Sequence, residues 1–256
     1  MSEGILQKIK SFYNNVTQND NLTVKLTSEI RLKQALINAG IEEPASVSAL
    51  NINGTLTRAD FKFIRKKMSK TLLEIDLSNA LFEENRIPNK AFDGCTSLVS
   101  VTIPDSVVEI RKTAFSKCSG LTSIKIPDSV TRIGELAFYR CTGLTSIDIP
   151  NSVIEISFRA FADCTGLTSV AIPDSVTVIG SGAFGNCTGL TSVTIPDSHI
   201  EIGNYAFFGC SALTSVFIPS QVVIIGNGAF DECPASVTVH PDNLVYKSEN
   251  GELKTK

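Results

Sequence analysis

The chain has 256 residues, 43% of them hydrophobic, and a formal net charge of -3. This composition can supply a sizeable core, but it lacks the concentrated basic surface that nucleic acids and anionic membranes require. No apolar run approaches the roughly 18 to 20 residues that cross a bilayer, so we expect no nucleic-acid partner and no membrane insertion.

Residues 1–70 form the first compositional unit. They contain 11 Lys and Arg against 6 Asp and Glu, whereas the rest of the chain contains 12 against 20. An apolar stripe at residues 5–13 predicts an amphipathic helix. The start of the chain lacks the basic region and continuous apolar stretch of a secretory signal. A cytoplasmic location, a signal that this sequence does not include, and export by another route all remain open.

The rest of this unit predicts an α/β cap over the end of the following segment. Alternation over residues 22–27 is typical of a strand, Ser28 and Glu29 predict the start of a helix, and Gly40 predicts its end. Residues 57–60, Thr-Arg-Ala-Asp, are similar to a capping box with Asp in place of Glu.

Residues 71–240 carry an internal repeat. Seven cysteines occur at positions 95, 118, 141, 164, 187, 210 and 233, so every interval is 23 residues. A period in this range is typical of a solenoid, in which each repeat buries its apolar face only by stacking on the next. The unit reads L-T-S-V-x-I-P-D-S-V-x-x-I-G-x-x-A-F-x-x-C-x-x, as from Leu121 to Gly143. Positions 1 to 23 of the repeat are counted from this leucine.

The repeat contains two extended segments and a compact turn. Apolar residues at positions 1, 4 and 6 predict a strand, which the proline at position 7 ends. Positions 10 and 13 predict a second short extended piece, and the glycine common at position 14 indicates a corner with positive φ. The Ala, Phe and Cys at positions 17, 18 and 21 have the spacing of one tight helical turn.

The cysteines are interpreted as a buried structural ladder of free thiols. A structural zinc site usually shows a C-x-x-C pair, which is absent, and an odd count cannot form a complete set of intramolecular disulfides. Free cysteine behaves as a small hydrophobe. The alternative is that one or more of the thiols is redox-active or binds a metal. We expect no cofactor.

The unit I-P-D-S-V-T-x-I-G-x-x-A-F-x-x-C-T-G-L-T-S-V resembles the BspA-like, or Treponema pallidum-type, leucine-rich repeat. Residues 242–253 are similar to the D-N-x-x-Y-x-S-x-x-G-x-L segment that interrupts or ends such arrays, so residues 241–256 are expected to form a C-terminal capping segment or tail. The resemblance implies a curved, right-handed leucine-rich-repeat solenoid. It also implies display on the cell surface or secretion, with a role in adhesion or partner binding.

Position 5 of the repeat is the first candidate binding surface. It lies between inward-facing positions of the strand, so its side chains should point outward, and it varies while its neighbours on the strand do not. We expect a partner to be recognised there. The alternative is that the position varies because nothing constrains it. The candidate residues at this position are Thr102, Lys125, Asp148, Thr194 and Phe217.

Two further candidates are aromatic residues near the turn. Phe158 and Tyr205 lie three and two positions before the core Phe of their turns, and exposed aromatic side chains are enriched in binding hot spots. Phe158, like Phe217, is favoured because its equivalents in other repeats are small or polar. Tyr139 and Phe208 are interpreted as structural, because the position before Gly-Cys is commonly aromatic in the family that the chain resembles. His199 replaces a core valine and is interpreted as a tolerated substitution.

No combination of residues identifies a reaction, since no nucleophile with a base, phosphate loop or paired acids emerge. The sequence therefore favours a non-enzymatic interaction or adhesion module for a protein or glycan partner. A structural spacer or scaffold within a larger surface or intracellular assembly is the alternative.

Overall fold

A computed structural model describes residues 22–198 and 200–256. The helix predicted at residues 5–13 and the side chain of His199 lie outside these residues. The strands are β1 (Leu22–Lys25), β2 (Ala49–Thr55), β3 (Glu74–Asp76), β4 (Ala80–Leu81), β5 (Arg86–Ile87), β6 (Ser100–Thr102), β7 (Glu109–Ile110), β8 (Arg132–Ile133), β9 (Glu155–Ile156), β10 (Ser169–Ala171), β11 (Val178–Ile179), β12 (Ser192–Thr194), β13 (Glu201–Ile202), β14 (Ser215–Ile218), β15 (Ile224–Ile225), β16 (Ser236–Val239), β17 (Tyr246–Glu249) and β18 (Glu252–Thr255). The helices are α1 (Leu32–Asn38) and α2 (Arg58–Lys67).

The N-terminal strands continue the stack of the repeats. β1 pairs with β2, β2 with β3, and β3 with β6, all in parallel, with Leu50 opposite Ile75 and Ile75 opposite Val101. Helix α1 begins at Leu32, so the predicted start at Ser28 is wrong. The hydroxyl of Thr27 accepts the amide hydrogens of Glu29 and Ile30 at 3.2 and 3.0 Å, which holds this segment in a turn before the helix.

The capping box at the start of α2 is present, and its acid also reaches α1. Asp60 is buried and accepts hydrogen bonds from the amide and hydroxyl of Thr57 at 2.9 and 2.7 Å. It also accepts from the Leu32 amide at 2.9 Å and from the Arg31 guanidinium. Burial would raise the pKa of Asp60, but these hydrogen bonds outweigh burial and lower it. One carboxylate thus joins the first turns of both helices.

The repeats stack through two rows of parallel strands. The second extended pieces form a continuous seven-stranded sheet in the order β5-β7-β8-β9-β11-β13-β15. The first row is less continuous: β10 pairs with β12 and β14 with β16, whereas Lys125 and Asp148 form only a single bridge. The repeat sequence does not explain this interruption, because the Ile-Pro turn follows the strands that pair and the strands that do not.

The predicted helical turn at positions 17 to 21 is a series of tight turns rather than a helix. Within a repeat, the amides of Ala137 and Cys141 donate to carbonyls three residues earlier, at 3.1 Å each. Leu136 and Arg140, in contrast, have φ of 56° and 58°, and their amides donate to the next repeat. Because left-handed residues interrupt the turn, no helix can propagate, and each repeat is hydrogen-bonded to its neighbour instead.

A column of phenylalanines at position 18 forms the centre of the core. Neighbouring rings from Phe92 to Phe230 are nearly parallel, with centroids 5.1 to 5.5 Å apart. Phe61 of α2 packs edge-on against Phe92 at 5.3 Å, so the column extends into the N-terminal region. The buried apolar residues from Val24 to Val237 form one cluster.

Glycine at position 14 has a different role from the one predicted. Gly134 and Gly226 do not have positive φ. A Cβ at Gly134 would lie 2.7 Å from the Ile110 carbonyl oxygen, and one at Gly226 would lie 2.4 Å from the Asn204 nitrogen. The glycine therefore allows the backbones of successive repeats to approach closely.

The cysteines form the predicted ladder, and each thiol from Cys118 onward also donates a hydrogen bond. The Cys118 and Cys141 sulfurs lie 3.1 Å from the carbonyl oxygens of Phe92 and Phe115 of the preceding repeat. Six of the seven cysteines are buried, whereas Cys233, at the end of the array, is partly exposed. The thiols are therefore packing groups that also satisfy backbone carbonyls.

We expect one thiol to react with Ellman's reagent in the native protein and the other six only after unfolding in guanidinium. The reason is access, because Cys233 alone is partly exposed among the seven. Absorbance of the released thiol counts the reactive groups, and a Cys233→Ser variant is the control. Rapid release of two or more equivalents from the native parent would contradict the buried ladder.

The C-terminal segment is anchored by Asn243. Its side-chain amide donates to the carbonyls of Pro219 and Val222 at 2.8 and 3.0 Å, and its oxygen accepts from the amides of Val245 and Tyr246 at 2.9 and 2.8 Å. The Tyr246 hydroxyl accepts the amide hydrogen of Ile225, in the last strand of the seven-stranded sheet, at 2.8 Å. Residues 241–256 thus bind the edge of the final repeat.

Candidate functional site

The position 5 residues form one row across the first strands, here called the strand row. The row contains Asp76, Thr102, Lys125, Asp148, Ala171, Thr194, Phe217 and Thr238. Four neighbouring pairs are in direct register: Asp76 with Thr102, Lys125 with Asp148, Ala171 with Thr194, and Phe217 with Thr238. All eight except the half-buried Asp76 are exposed, so five predicted site residues share one surface.

The strand row presents two charges and one aromatic ring without strong internal pairing. Lys125 and Asp148 are neighbours, but no ion pair joins them in the part of the chain that the structure describes. Phe217 is 50% exposed, and its ring meets that of His240 edge-on at 6.2 Å between centroids. These three side chains are therefore available for contact with a partner.

The other two predicted residues lie beside a groove on the turn side, here called the aromatic groove. It encloses about 260 Å³ and is lined chiefly by Tyr139, Arg159, Ala162, Gly185, Tyr205 and Phe208. Tyr205 is 53% exposed and packs edge-on against Phe208, with 5.8 Å between ring centroids. Phe158 is 45% exposed and does not line the groove itself, but its ring centroid lies 5.4 Å from the guanidinium carbon of Arg159, which does.

One side of the aromatic groove carries a fixed polar group. Asp163 accepts a hydrogen bond from the Arg140 guanidinium at 3.1 Å and another from the Asn186 amide at 3.0 Å. Partial burial would raise the pKa of Asp163, but bonds from Arg140, Asn186 and Tyr139 outweigh it and lower the pKa. The carboxylate is therefore ionised and held in a fixed position at neutral pH.

A larger cavity lies elsewhere, between α2 and the first repeat, and encloses about 720 Å³. Leu81, Phe82 and Pro88 contribute apolar surface, and three arginines also line it. Arg86 and Arg111 are both paired with Glu84, at 2.8 and 2.6 Å, and with Glu109, at 3.2 and 3.6 Å. Two of the three positive charges are thus already neutralised within the protein.

The aromatic groove could not be found by considering each residue separately. The sequence predicts a structural role for Tyr139 and Phe208, and in the structure they line the groove together with Tyr205. The sequence feature that indicates the groove is at position 19. Two consecutive repeats have the small residues Ala162 and Gly185 there, and the repeats on either side have aromatic residues.

The described part of the chain contains neither a metal-binding cluster nor a membrane-spanning helix. Among residues 22–198 and 200–256, no group of three or more His, Cys, Asp or Glu is placed to bind a metal ion. In the same part of the chain, neither helix has the length and apolar character to span a bilayer.

The stacked 23-residue repeats and their parallel strands define a leucine-rich-repeat solenoid, as predicted. Residues 68–191 and 155–250 match the BspA type leucine rich repeat region, with six copies. The chain belongs to this family, and the predicted resemblance is confirmed. A search of curated proteins found no significant match.

Solved structures of leucine-rich-repeat proteins are similar to this chain. A leucine rich cell surface protein from Faecalibacterium prausnitzii is 35% identical over 73% of the chain, with a TM-score of 0.58. A leucine rich repeat protein from T. pallidum is 28% identical over 76% of the chain and 78% of its own length, with a TM-score of 0.51. The chain spans about half, 47%, of the F. prausnitzii structure.

Proposed function

We propose that the chain is a non-enzymatic interaction module that binds a protein partner through the strand row. The observation that carries the proposal is the contrast along the array: one exposed row varies in charge and size, while the positions on either side of it repeat. Lys125, Asp148 and Phe217 present a cation, an anion and an aromatic ring on this row. An extended protein surface can bind all three at once. Membership of the BspA-type family supports this function, because leucine-rich repeats of this kind are typically interaction or surface modules.

The location that we propose is the cell surface or the extracellular space. The support is the family and the likeness to a cell surface protein of F. prausnitzii. The partner is then a protein of another cell, of the surrounding matrix or of the same cell envelope.

Alanine variants of the strand row test the proposal. Immobilised parent protein is used to capture proteins from solubilised matrix, host-cell membranes and source-cell envelope, and mass spectrometry identifies what is retained. A triple variant that combines Lys125→Ala, Asp148→Ala and Phe217→Ala should capture at least tenfold less of the specific partner than the parent does. The reason is that hot-spot side chains contribute about 1 to 4 kcal/mol each.

The matched control is Lys112→Ala with Glu135→Ala, which removes the same two charges from an exposed ion pair, 2.7 Å long, on the turn side. It should capture the partner as well as the parent does. Equal capture by all three proteins would mean that the strand row is not the binding surface. That result would favour the alternative, a structural spacer, which the single continuous core from Val24 to Val237 supports.

A further inference from the structure

We propose that the aromatic groove is a second binding site, and that its ligand is a saccharide bearing a carboxylate, such as a uronic acid. The groove lies on the turn side, is lined by residues at positions 16, 19 and 20 of the repeat, and shares no residue with the strand row. This site is therefore independent of the protein partner proposed above. Its volume, about 260 Å³, suits one or two sugar rings rather than a folded domain.

The fold does not require the groove. Position 19 is Tyr139, Ala162, Gly185 and Phe208 in four consecutive repeats, so the turn accommodates a large ring at both ends of this series. A Cβ built at Gly185 has its nearest neighbour, the Gly182 carbonyl oxygen, at 3.3 Å, so a side chain needs only a small adjustment there. The two small residues open a space that the repeat would otherwise fill.

Aromatic side chains border that space at both ends. Tyr139 and Phe208 are three repeats apart, and the core phenylalanines beneath them are separated by steps of 5.1, 5.2 and 5.3 Å. The Tyr205 ring is held in place on two sides, because it meets Phe208 edge-on and lies so close to Gly228 that a Cβ there would be 2.5 Å from it. The C–H bonds of a sugar ring carry partial positive charge, which suits the negative faces of such rings.

Between the aromatic ends, Asp163 provides an acceptor for sugar hydroxyls. Arg140 and Asn186 each donate to one of its oxygens and Tyr139 donates a third bond, which leaves acceptor capacity on the carboxylate. Since these two partners fix the carboxylate, little side-chain freedom is lost when a hydroxyl binds. The same feature disfavours a purely apolar ligand, which would desolvate the carboxylate without replacing water.

Arg159 selects for an acidic sugar. Its guanidinium lies over the Phe158 ring, and its side chain crosses Gly182, where a Cβ would be 3.1 Å from the arginine Cγ. No carboxylate pairs with Arg159 among the residues that the structure describes. The groove therefore has a positioned planar cation whose fork-like donors match a carboxylate, and a uronic acid supplies one on the ring that stacks.

Saturation-transfer NMR and calorimetry with two matched sugars test the site. Methyl β-glucuronide and methyl β-glucoside differ only in a carboxylate that replaces a hydroxymethyl group. The full chain should bind the glucuronide at least fivefold more tightly than the glucoside. The Arg159→Gln variant should bind the two sugars about equally.

Filling the groove provides the second test. Ala162→Tyr gives this repeat the residue of its neighbour and should abolish binding of both sugars, while Asp93→Tyr adds the same ring at position 19 of a repeat that does not line the groove and should leave binding unchanged. Thermal melting shows that each variant is folded, and Tyr205→Ala is the substitute if Ala162→Tyr is not. Failure of the parent to bind either sugar, or unchanged binding in the filled variant, would overturn the proposal. Equal binding of the two sugars by the parent would overturn the assignment of an acidic ligand.

Discussion

Raising the pH from 8.5 to 10 is expected to destabilise the protein steeply. Burial raises the pKa of Cys95 and of Cys187 to about 12, and it raises those of Cys118, Cys141 and Cys164 well above the usual value. In the unfolded chain a thiol ionises near pH 8.5. Above that pH the unfolded state binds fewer protons than the folded state, so stability falls as pH rises.

The expected slope is about 1.4 kcal/mol per pH unit for each buried thiol, beginning near the unfolded pKa and continuing toward the folded one. Below about pH 8 these thiols should not contribute to the pH dependence of the free energy of unfolding. Urea unfolding under reducing conditions at pH 7.5, 8.5, 9.25 and 10 gives the free energy of unfolding at each pH.

A Cys141→Ala variant isolates the contribution of one thiol. It should be less stable than the parent at pH 7.5, because a buried group and its bond to the Phe115 carbonyl are lost. Its loss of stability with pH, however, should be shallower by about 1.4 kcal/mol per pH unit. The same slope in both proteins would show that the buried thiols do not control the alkaline response.

The sequence was sufficient to predict which side chains are buried, because the 23-residue period repeats the environment along with the residues. Phe138 and Cys141 could be placed in the core from spacing alone, and both are fully buried. The position 5 residues could be placed on one exposed row by the same argument. The partner of that row could not be predicted, because the repeat specifies where a side chain points but not which molecule binds it.

Backbone conformation was harder to predict, because residue type is an incomplete guide to it. Gly134 suggested positive φ, whereas its function is to allow close approach of the preceding repeat. The left-handed conformation occurs instead at positions such as 16, which is glycine at Gly182 but is Leu136, Arg159 or Tyr205 in other repeats, although these residue types rarely adopt it. Bonds to the next repeat hold them there, and no local sequence rule contains that information.

Contacts between distant segments were also beyond the sequence. The capping box at Asp60 could be recognised from four residues, but its bonds to Arg31 and Leu32 depend on how two helices pack. The aromatic groove likewise requires three positions of four repeats to be brought onto one surface. Spacing identifies the scaffold, and the sites arise where neighbouring repeats differ.

Replacing Phe161 by alanine is expected to reduce the free energy of unfolding by about 3 to 5 kcal/mol. Its ring is fully buried in the phenylalanine column, between Phe138 and Phe184, with centroids 5.1 and 5.2 Å away. Removing the ring leaves a cavity at the interface between repeats, and the stability of a solenoid depends on such nearest-neighbour interfaces. Urea unfolding followed by circular dichroism measures the change.

Phe158→Ala is the matched control, because it removes the same side chain from the same repeat at a site that is 45% exposed. It should cost less than about 1 kcal/mol, since exposed substitutions away from the core have small effects. The Phe161→Ala variant should also lose cooperativity, because the repeats on either side of the cavity are coupled less strongly. Equal losses in the two variants would mean that the phenylalanine column does not couple the repeats. A large loss only at Phe161 would show that packing within the phenylalanine column couples neighbouring repeats. Exposed side chains on the outer surface could then be exchanged with little effect on stability.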